Sequence, residues 1–233
     1  AADQENLAQA ETLAQECLAL AQELGNKPDI TEALYYISNI KSLQGELIQS
    51  VAYAQELLML ARDLGDKYSI AVALSHLGET LLAQGNLTQA EALIVEGLML
   101  VREMDEKYSI ALSMNILGDI RRLQGDLIQS VAFYTESLTL TQEVEIKRLM
   151  GWNFIGLAQI AIAERQFERA ARLFGAAEPL NLYVEMYPPQ RAEHERGVER
   201  VREQLGEEAF QAAWAKGRAC LLYTSPSPRD RQK

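Results

Sequence analysis

Residues 24–27 read L-G-N-K and residues 43–53 read L-Q-G-E-L-I-Q-S-V-A-Y; a related text returns forty residues on, from Leu64, and again from Met104. A degenerate fourth copy starts near Val144. Lys27, Lys67, Lys107 and Lys147 hold one slot, Gly45, Gly85 and Gly125 a second, and Leu47, Leu87, Leu127 and Phe167 a third. A fixed period of this size marks stacked supersecondary units, none of which can bury its apolar face alone.

Upstream of the first copy, Leu7, Ala14, Glu16, Leu18 and Ala21 match Leu47, Ala54, Glu56, Leu58 and Ala61. Residues 1–23 therefore read as the second helix of a unit whose first half is missing, which implies a fragment of a longer protein. The units that follow are 24–63, 64–103, 104–143 and a degenerate 144–180. Each splits into two helices. The first spans 29–43, 69–83, 109–123 and 149–163; in the second copy Ile70, Ala73, Leu74, Leu77 and Leu81 fall on one face at helical spacing. Asp29, Ser69 and Ser109 are suited to cap its start. Glycines at 45, 85 and 125 are suited to end it, and Glu46, Asn86 and Asp126 to cap the next helix. The second helix spans 47–62, 87–103, 127–143 and 167–177. Connections this short make neighbouring helices antiparallel. The fourth unit carries Arg165 where glycine is expected, so its turn should differ.

Leu77, Gly78, Gly85, Ala90, Ile94 and Leu98, and again Leu117, Gly118, Gly125, Ser130, Tyr134 and Leu138, resemble the packing pattern of the tetratricopeptide repeat. The units are longer than that family's norm, as in bacterial signalling ATPases and kinesin light chains, and Ser38 replaces the packing glycine in the first. The resemblance implies an all-α, right-handed superhelical solenoid of helical hairpins. After Glu178 the period is lost. Residues 181–219 read as a loop with two prolines, a helix over 190–205 and a short helix over 207–216 whose Phe210, Ala213 and Trp214 cap the last repeat. The stretches R-A-A-R-L-F-G-A-A-E-P-L (169–180), P-P-Q-R-A-E-H-E-R (188–196) and L-G-E-E-A-F-Q-A-A-W-A-K-G-R-A (205–219) are similar to the end of the repeat region in LuxR-type and maltose-activator-like ATP-binding transcription regulators. That likeness implies an upstream nucleotide-binding domain absent from this chain. Residues 220–233 break sharply in composition and read as a disordered tail resembling translated adaptor sequence.

The formal charge of −11 argues against a nucleic-acid surface. No apolar run reaches membrane-spanning length, there is no signal peptide, and Cys17 and Cys220 lack metal-ligand or redox spacing, which together suggest free thiols in the cytoplasm. His76 and His194 belong to no ligand motif, and no phosphate-binding glycine loop occurs, so no metal, cofactor or catalytic set is expected. Lys41 and Arg121 sit at a slot that is Leu81 or Ala161 elsewhere, and should turn their charge outward over a buried stem.

By transfer from the tetratricopeptide geometry, the concave groove is lined by Tyr35, Asn39, Ser42, Ser75, Glu79, Leu82, Asn115, Asp119, Arg122, Trp152, Ile155 and Gln159. Glu79 and Asp119 occupy equivalent slots, where a solvated acidic face is the simplest reading. Trp152 either anchors a ligand or fills core space beside Phe174. The positions matching the chaperone-tail clamp read Tyr35, Asn39, His76, Leu112 and Ile116, which fits poorly. These residues point to a non-enzymatic module that grips a protein, peptide or small effector. The resemblance makes it the sensor part of a bacterial signalling ATPase or transcription regulator; a stand-alone scaffold is the alternative.

Overall fold

This computed structural model describes residues 2–143 and 145–223. Every regular element among them is helical: α1 (Ala2–Leu24), α2 (Lys27–Gln44), α3 (Leu47–Leu64), α4 (Lys67–Ala83), α5 (Leu87–Glu103), α6 (Lys107–Gln124), α7 (Leu127–Glu143), α8 (Lys147–Ala163), α9 (Phe167–Ala177), α10 (Pro188–Leu205) and α11 (Glu207–Tyr223). Each helix from α1 to α9 packs on the next, and α9 is covered by α10 and α11. The helices are thus laid out in a row, not gathered about one centre. The first helices α2, α4, α6 and α8 also touch one another in sequence, whereas α3, α5 and α7 make no comparable contacts. Alternate helices that converge on one side only make that side the inner, concave one.

The rhythm keeps step with the lysines, since α2, α4, α6 and α8 begin at Lys27, Lys67, Lys107 and Lys147. That start is two residues earlier than the serines suggest. The N-caps are Asn26, Asp66 and Glu106, and the Ser69 and Ser109 amides donate to Asp66 Oδ2 (2.8 Å) and Glu106 Oε2 (2.7 Å). Either register offers a capping oxygen, so residue type alone could not choose. Of the expected caps of the second helices, Asp126 accepts from Gln129 N (3.1 Å), Asn86 reaches Gln89 N at 3.5 Å, and Glu46 makes no side-chain cap.

The glycine stops hold. At Gly45 (φ +86°) and Gly125 (φ +87°) the following amide returns to the carbonyl five residues back, Glu46 to Lys41 (2.8 Å) and Asp126 to Arg121 (2.9 Å). Arg165 does not change the turn. It takes φ +60° and keeps the same pair of bonds, Arg165 N to Ile162 O (3.1 Å) and Gln166 N to Ala161 O (2.7 Å). The hairpin's packing imposes this left-handed backbone on a residue that rarely adopts it.

Within each hairpin a small residue faces a large one. An added Cβ on Gly78 would meet Ile94 Cδ1 at 2.6 Å, and one on Gly118 would meet Tyr134 Cε1 at 2.6 Å. In the first unit the opposing slot has shrunk to Ala54, which is fully buried, and Ser38 fills the space with a polar knot. Ser38 Oγ donates to Ser50 O (2.8 Å), Ser50 Oγ donates to Ser38 O (2.8 Å), and the buried His76 ring meets Ser38 Oγ at 2.8 Å.

Between units the contacts alternate. Lys41 pairs with Glu11 on α1 (2.7 Å), and Arg121 pairs with Glu91 on α5. Gln44 donates to Glu11 (2.9 Å) and Gln124 to Glu91 (3.2 Å) in the same pattern. The corresponding residues in the interleaved units are Val51 with Leu81 and Val131 with Ala161. Lys41 and Arg121 therefore do not turn their charges to solvent; they close ion pairs with the preceding second helix. Arg121→Leu alone should cost about 1–2 kcal/mol, because Glu91, at 26% side-chain exposure, is left without its cation. Adding Glu91→Val should return the protein to within about 1 kcal/mol of the parent. Urea unfolding decides, and equal losses in the single and double variants would refute the pairing.

The C-terminal lid is as expected in kind and larger in extent. Phe210, Ala213 and Val201 are buried against Phe174 and Ala158, with Trp214 packed at the edge. The last helix runs to Tyr223, not to Lys216. The segment expected as a loop contains two short 3-10 turns, Glu178–Leu180 and Leu182–Glu185. Cys17 is exposed and free, while the Cys220 side chain and residues 224–233 of the expected tail lie outside the described residues.

Candidate functional site: a concave face held by α10

The inner row places Tyr35, Asn39 and Ser42 on α2, Ser75, Glu79 and Leu82 on α4, Asn115, Asp119 and Arg122 on α6, and Trp152, Ile155 and Gln159 on α8. They do not line an empty channel. The chain returns along this row. Tyr187 is buried beside Ser42 of α2, and Pro188, the first residue of α10, lies 3.3 Å from where a Cβ on Gly45 would stand. One turn further on, Arg122 donates through both terminal nitrogens to Glu193 of α10, at 2.7 and 3.1 Å. Gln159 then touches α10, reaching Glu193 O at 3.5 Å and lying under Gly197. Three of the four inner helices thus contact the returning segment through α10 or the residue before it.

The grip is electrostatically tight. Arg122 has 12% side-chain exposure and also meets Asp119 at 3.2 Å, and the Tyr134 hydroxyl donates to the same Asp119 oxygen (2.7 Å). Burial works against the Arg122 charge, but Asp119, Tyr134 and Glu193 outweigh it and raise its pKa. Burial and Asp119 push the Tyr134 hydroxyl well above its ordinary range. A bidentate guanidinium–carboxylate pair in such surroundings fixes register as well as contributing energy.

The other candidates divide. Ser75 and Asn115 are buried in helix–helix contacts. Ser75 lies at the crossing with Gly97 of α5, and Asn115 Nδ2 donates to Asn153 Oδ1 (3.0 Å), while Asn153 Nδ2 donates to Ser137 Oγ (2.8 Å). Trp152 is half-buried, and the rings beside Phe174 are His194 at 5.0 Å and Trp214 at 6.4 Å. Glu79 is partly buried; burial, and after it Asp119, push its carboxyl up to about 7, and no cation offsets them. Tyr35 packs on His76 at 4.9 Å and is pushed up to about 12 by burial and by Glu79. Burial pushes His76 down to about 4, so its ring is neutral and serves the Ser38 knot.

Glu193, Tyr187 and Gly197 are absent from the residues the repeat pattern selects. The only signal for them lies outside the period, in the glycine of the otherwise charged E-R-G-V-E-R run and in the paired prolines at 188 and 189. Among the described residues no group of His, Cys, Asp and Glu has the spacing of a metal site. Among them, too, no helix is long and apolar enough to cross a membrane.

In its fold the chain is similar to the crystal structure of BtubC (BKLC) from P. vanneervenii, with a TM-score of 0.64 and 16% sequence identity over 96% of this chain and 95% of that one. BtubC is likewise a helical repeat protein, and the likeness establishes the architecture. No family model and no curated protein matches the sequence.

Proposed function

We propose that the chain is a non-enzymatic interaction module whose concave face receives a helix. The observation that carries this is the seating of α10: an amphipathic helix gripped by Arg122 at a glutamate and admitted close to α8 by Gly197, one turn later. A partner helix with a glutamate followed four residues on by a small residue would satisfy the same groups. Helical repeat surfaces bind such ligands through a row of side chains on successive first helices. In the fuller reading, supported by the C-terminal stretches quoted above, the module is the sensor or interaction part of a bacterial signalling ATPase or transcription regulator. Partner binding in place of α10 would shift an on/off equilibrium by the difference in its affinity for the two states.

Glu193→Lys sets two cations against each other and should free α10. Amide exchange over 188–199 should rise while the helices of the repeats stay protected. A labelled peptide of residues 186–205 should then bind the variant at least about tenfold more tightly than the parent, whose own tethered helix competes at high effective concentration. Unchanged exchange, or no peptide binding by the variant, would refute the helix-receiving reading. The parent assignment has its own test. A G-x-x-x-x-G-K-[ST] motif encoded upstream of Ala1 supports a signalling ATPase, whereas further repeats alone favour a stand-alone scaffold.

A further inference from the structure

A cavity of about 160 Å³ lies where the repeats, the returning segment and the lid meet. Its walls include Ile155 of α8, Phe174 of α9, Leu182 and Met186 of the returning segment, His194 of α10 and Trp214 of α11, with Ala177 and the Glu178 carboxylate beside them. It opens to solvent past Asn181 and Tyr183, both exposed. Three rings define its shape: His194 stands perpendicular to Phe174 at 5.0 Å, and Trp214 is inclined 34° to Phe174 at 6.4 Å. His194 Nδ1 is buried and has no hydrogen-bond partner.

An orphan nitrogen of this kind is costly, since an unmade hydrogen bond in apolar surroundings loses the group's solvation without return. A water molecule is a poor remedy. Buried waters need two to four polar partners, whereas Glu178, the carboxylate in this lining, is already engaged by Trp214 Nε1 (2.8 Å) and Arg218 Nε (2.7 Å), and Asn181 and Tyr183 stand at the exposed mouth. Cavities of about this volume lined by aliphatic and aromatic side chains accept a single benzene-sized molecule. Burial lowers the His194 pKa against the opposing influence of Glu195, so the imidazole is neutral and has one acceptor nitrogen to offer.

We propose that this cavity is a binding site for a small phenol-class ligand, a single aromatic ring packed among Phe174, Trp214 and Met186 whose hydroxyl donates to His194 Nδ1. The site is separate from the Arg122–Glu193 grip and does not depend on the helix-receiving function. Its position still gives it leverage on that grip, because the ligand would touch the returning segment at Leu182 and Met186 and α10 at His194 while resting on α8 and α9. A bound ring would hold the segment down on the repeats.

The test uses Trp214 as its reporter, with Trp152→Phe removing the second indole of the chain. Titration with phenol should change Trp214 emission saturably and raise the melting temperature. Toluene, which has the same ring without the hydroxyl, should bind about tenfold more weakly, the usual worth of one buried hydrogen bond. His194→Phe should abolish the preference for phenol over toluene. Ile155→Trp, which fills the cavity from α8, should abolish the response to both, with helicity checked by circular dichroism. Equal affinity for phenol and toluene in the parent would overturn the proposal. So would a phenol response that survives in a folded Ile155→Trp variant, or no saturable response up to the solubility limit.

Discussion

Gly175→Ala should detach the C-terminal lid and cost about 2–3 kcal/mol. A helix glycine replaced by alanine ordinarily gains about 1 kcal/mol, since alanine has less backbone freedom to lose and is the better helix former. Gly175 is different because of what its Cβ would strike. The main chain of α11 crosses α9 at this point, and the Trp214 Cα lies only 3.0 Å from the built Cβ, with the Trp214 carbonyl closer still. The contact is reciprocal, for a Cβ on Gly217 would run into the Arg172 backbone, with its Cα at 2.9 Å. A side chain can rotate away from a new methyl group, but a helix backbone cannot without moving the whole of α11. Overpacking of this kind typically costs 1–3 kcal/mol after partial relaxation. The lid's apolar contacts, Phe210 and Ala213 against Phe174, would loosen with it. The Trp214 fluorescence transition in urea should therefore shift to lower denaturant and separate from the helicity transition, as the end of a quasi-one-dimensional array can open alone. Gly97→Ala is the control of opposite sign. Its Cβ would sit 3.4 Å from Leu74 Cβ, an ordinary contact, so that variant should be as stable as the parent or up to about 1 kcal/mol more so. If Gly175→Ala and Gly97→Ala behave alike, the close crossing of α9 and α11 is wrong.

The repeats were legible in the sequence because their physics is periodic. Lys27, Lys67, Lys107 and Lys147 mark every inner helix, and Gly45, Gly85 and Gly125 stand at left-handed stops that few other residues tolerate. The starts were displaced because Asp66 and Ser69 are both good caps, and only the backbone shows which one lies outside the helix. The alternation of charged and apolar joints was written in the sequence too, as L-A-Q-A-E and L-T-Q-A-E at Leu7 and Leu87 against L-I-Q-S-V at Leu47 and Leu127. It escapes a search at a single period because it repeats over two units. The covered groove was not legible. Residues 188–205 carry charges on most of their surface and read as a solvated helix, and nothing local says that Glu193 meets Arg122 from seventy-one positions away. Arg122, Asp119 and Gln159 were expected on the inner row from the repeat pattern, while the helix lying against them had to come from the three-dimensional course of the chain.

Gly156→Ala tests the tightest point of that inner row. Tyr134 of α7 is fully buried, and its ring is held between two glycines on successive inner helices. On one side Gly118 of α6 leaves room for Cε1 and Cδ1, which would be 2.6 and 2.7 Å from a Cβ; on the other Gly156 of α8 faces the ring's hydroxyl end, with Cε1 at 2.7 Å and the oxygen nearer. The hydroxyl is committed to Asp119, and Asp119 to Arg122, so the ring cannot swing aside without breaking the group that seats α10. A loss of about 2–3 kcal/mol is expected, net of the helix-propensity gain, together with faster amide exchange in α10. Gly78→Ala should be milder. There the obstructing atoms are Cδ1 and Cγ1 of Ile94, at 2.6 and 2.8 Å, an aliphatic side chain that no hydrogen bond holds in place. The decisive arm is the pair Gly156→Ala with Tyr134→Ile, which installs the side chain found at the equivalent position of the preceding unit. Tyr134→Ile alone loses the ring's packing and its bond to Asp119, yet it removes the obstacle to a methyl group at 156. The double variant should therefore be more stable than the sum of the two single losses by at least about 1 kcal/mol, the coupling expected of residues in direct contact. Strict additivity would mean that Tyr134 does not sit against Gly156, and the path from the hairpin core through Asp119 and Arg122 to α10 would lose its first step.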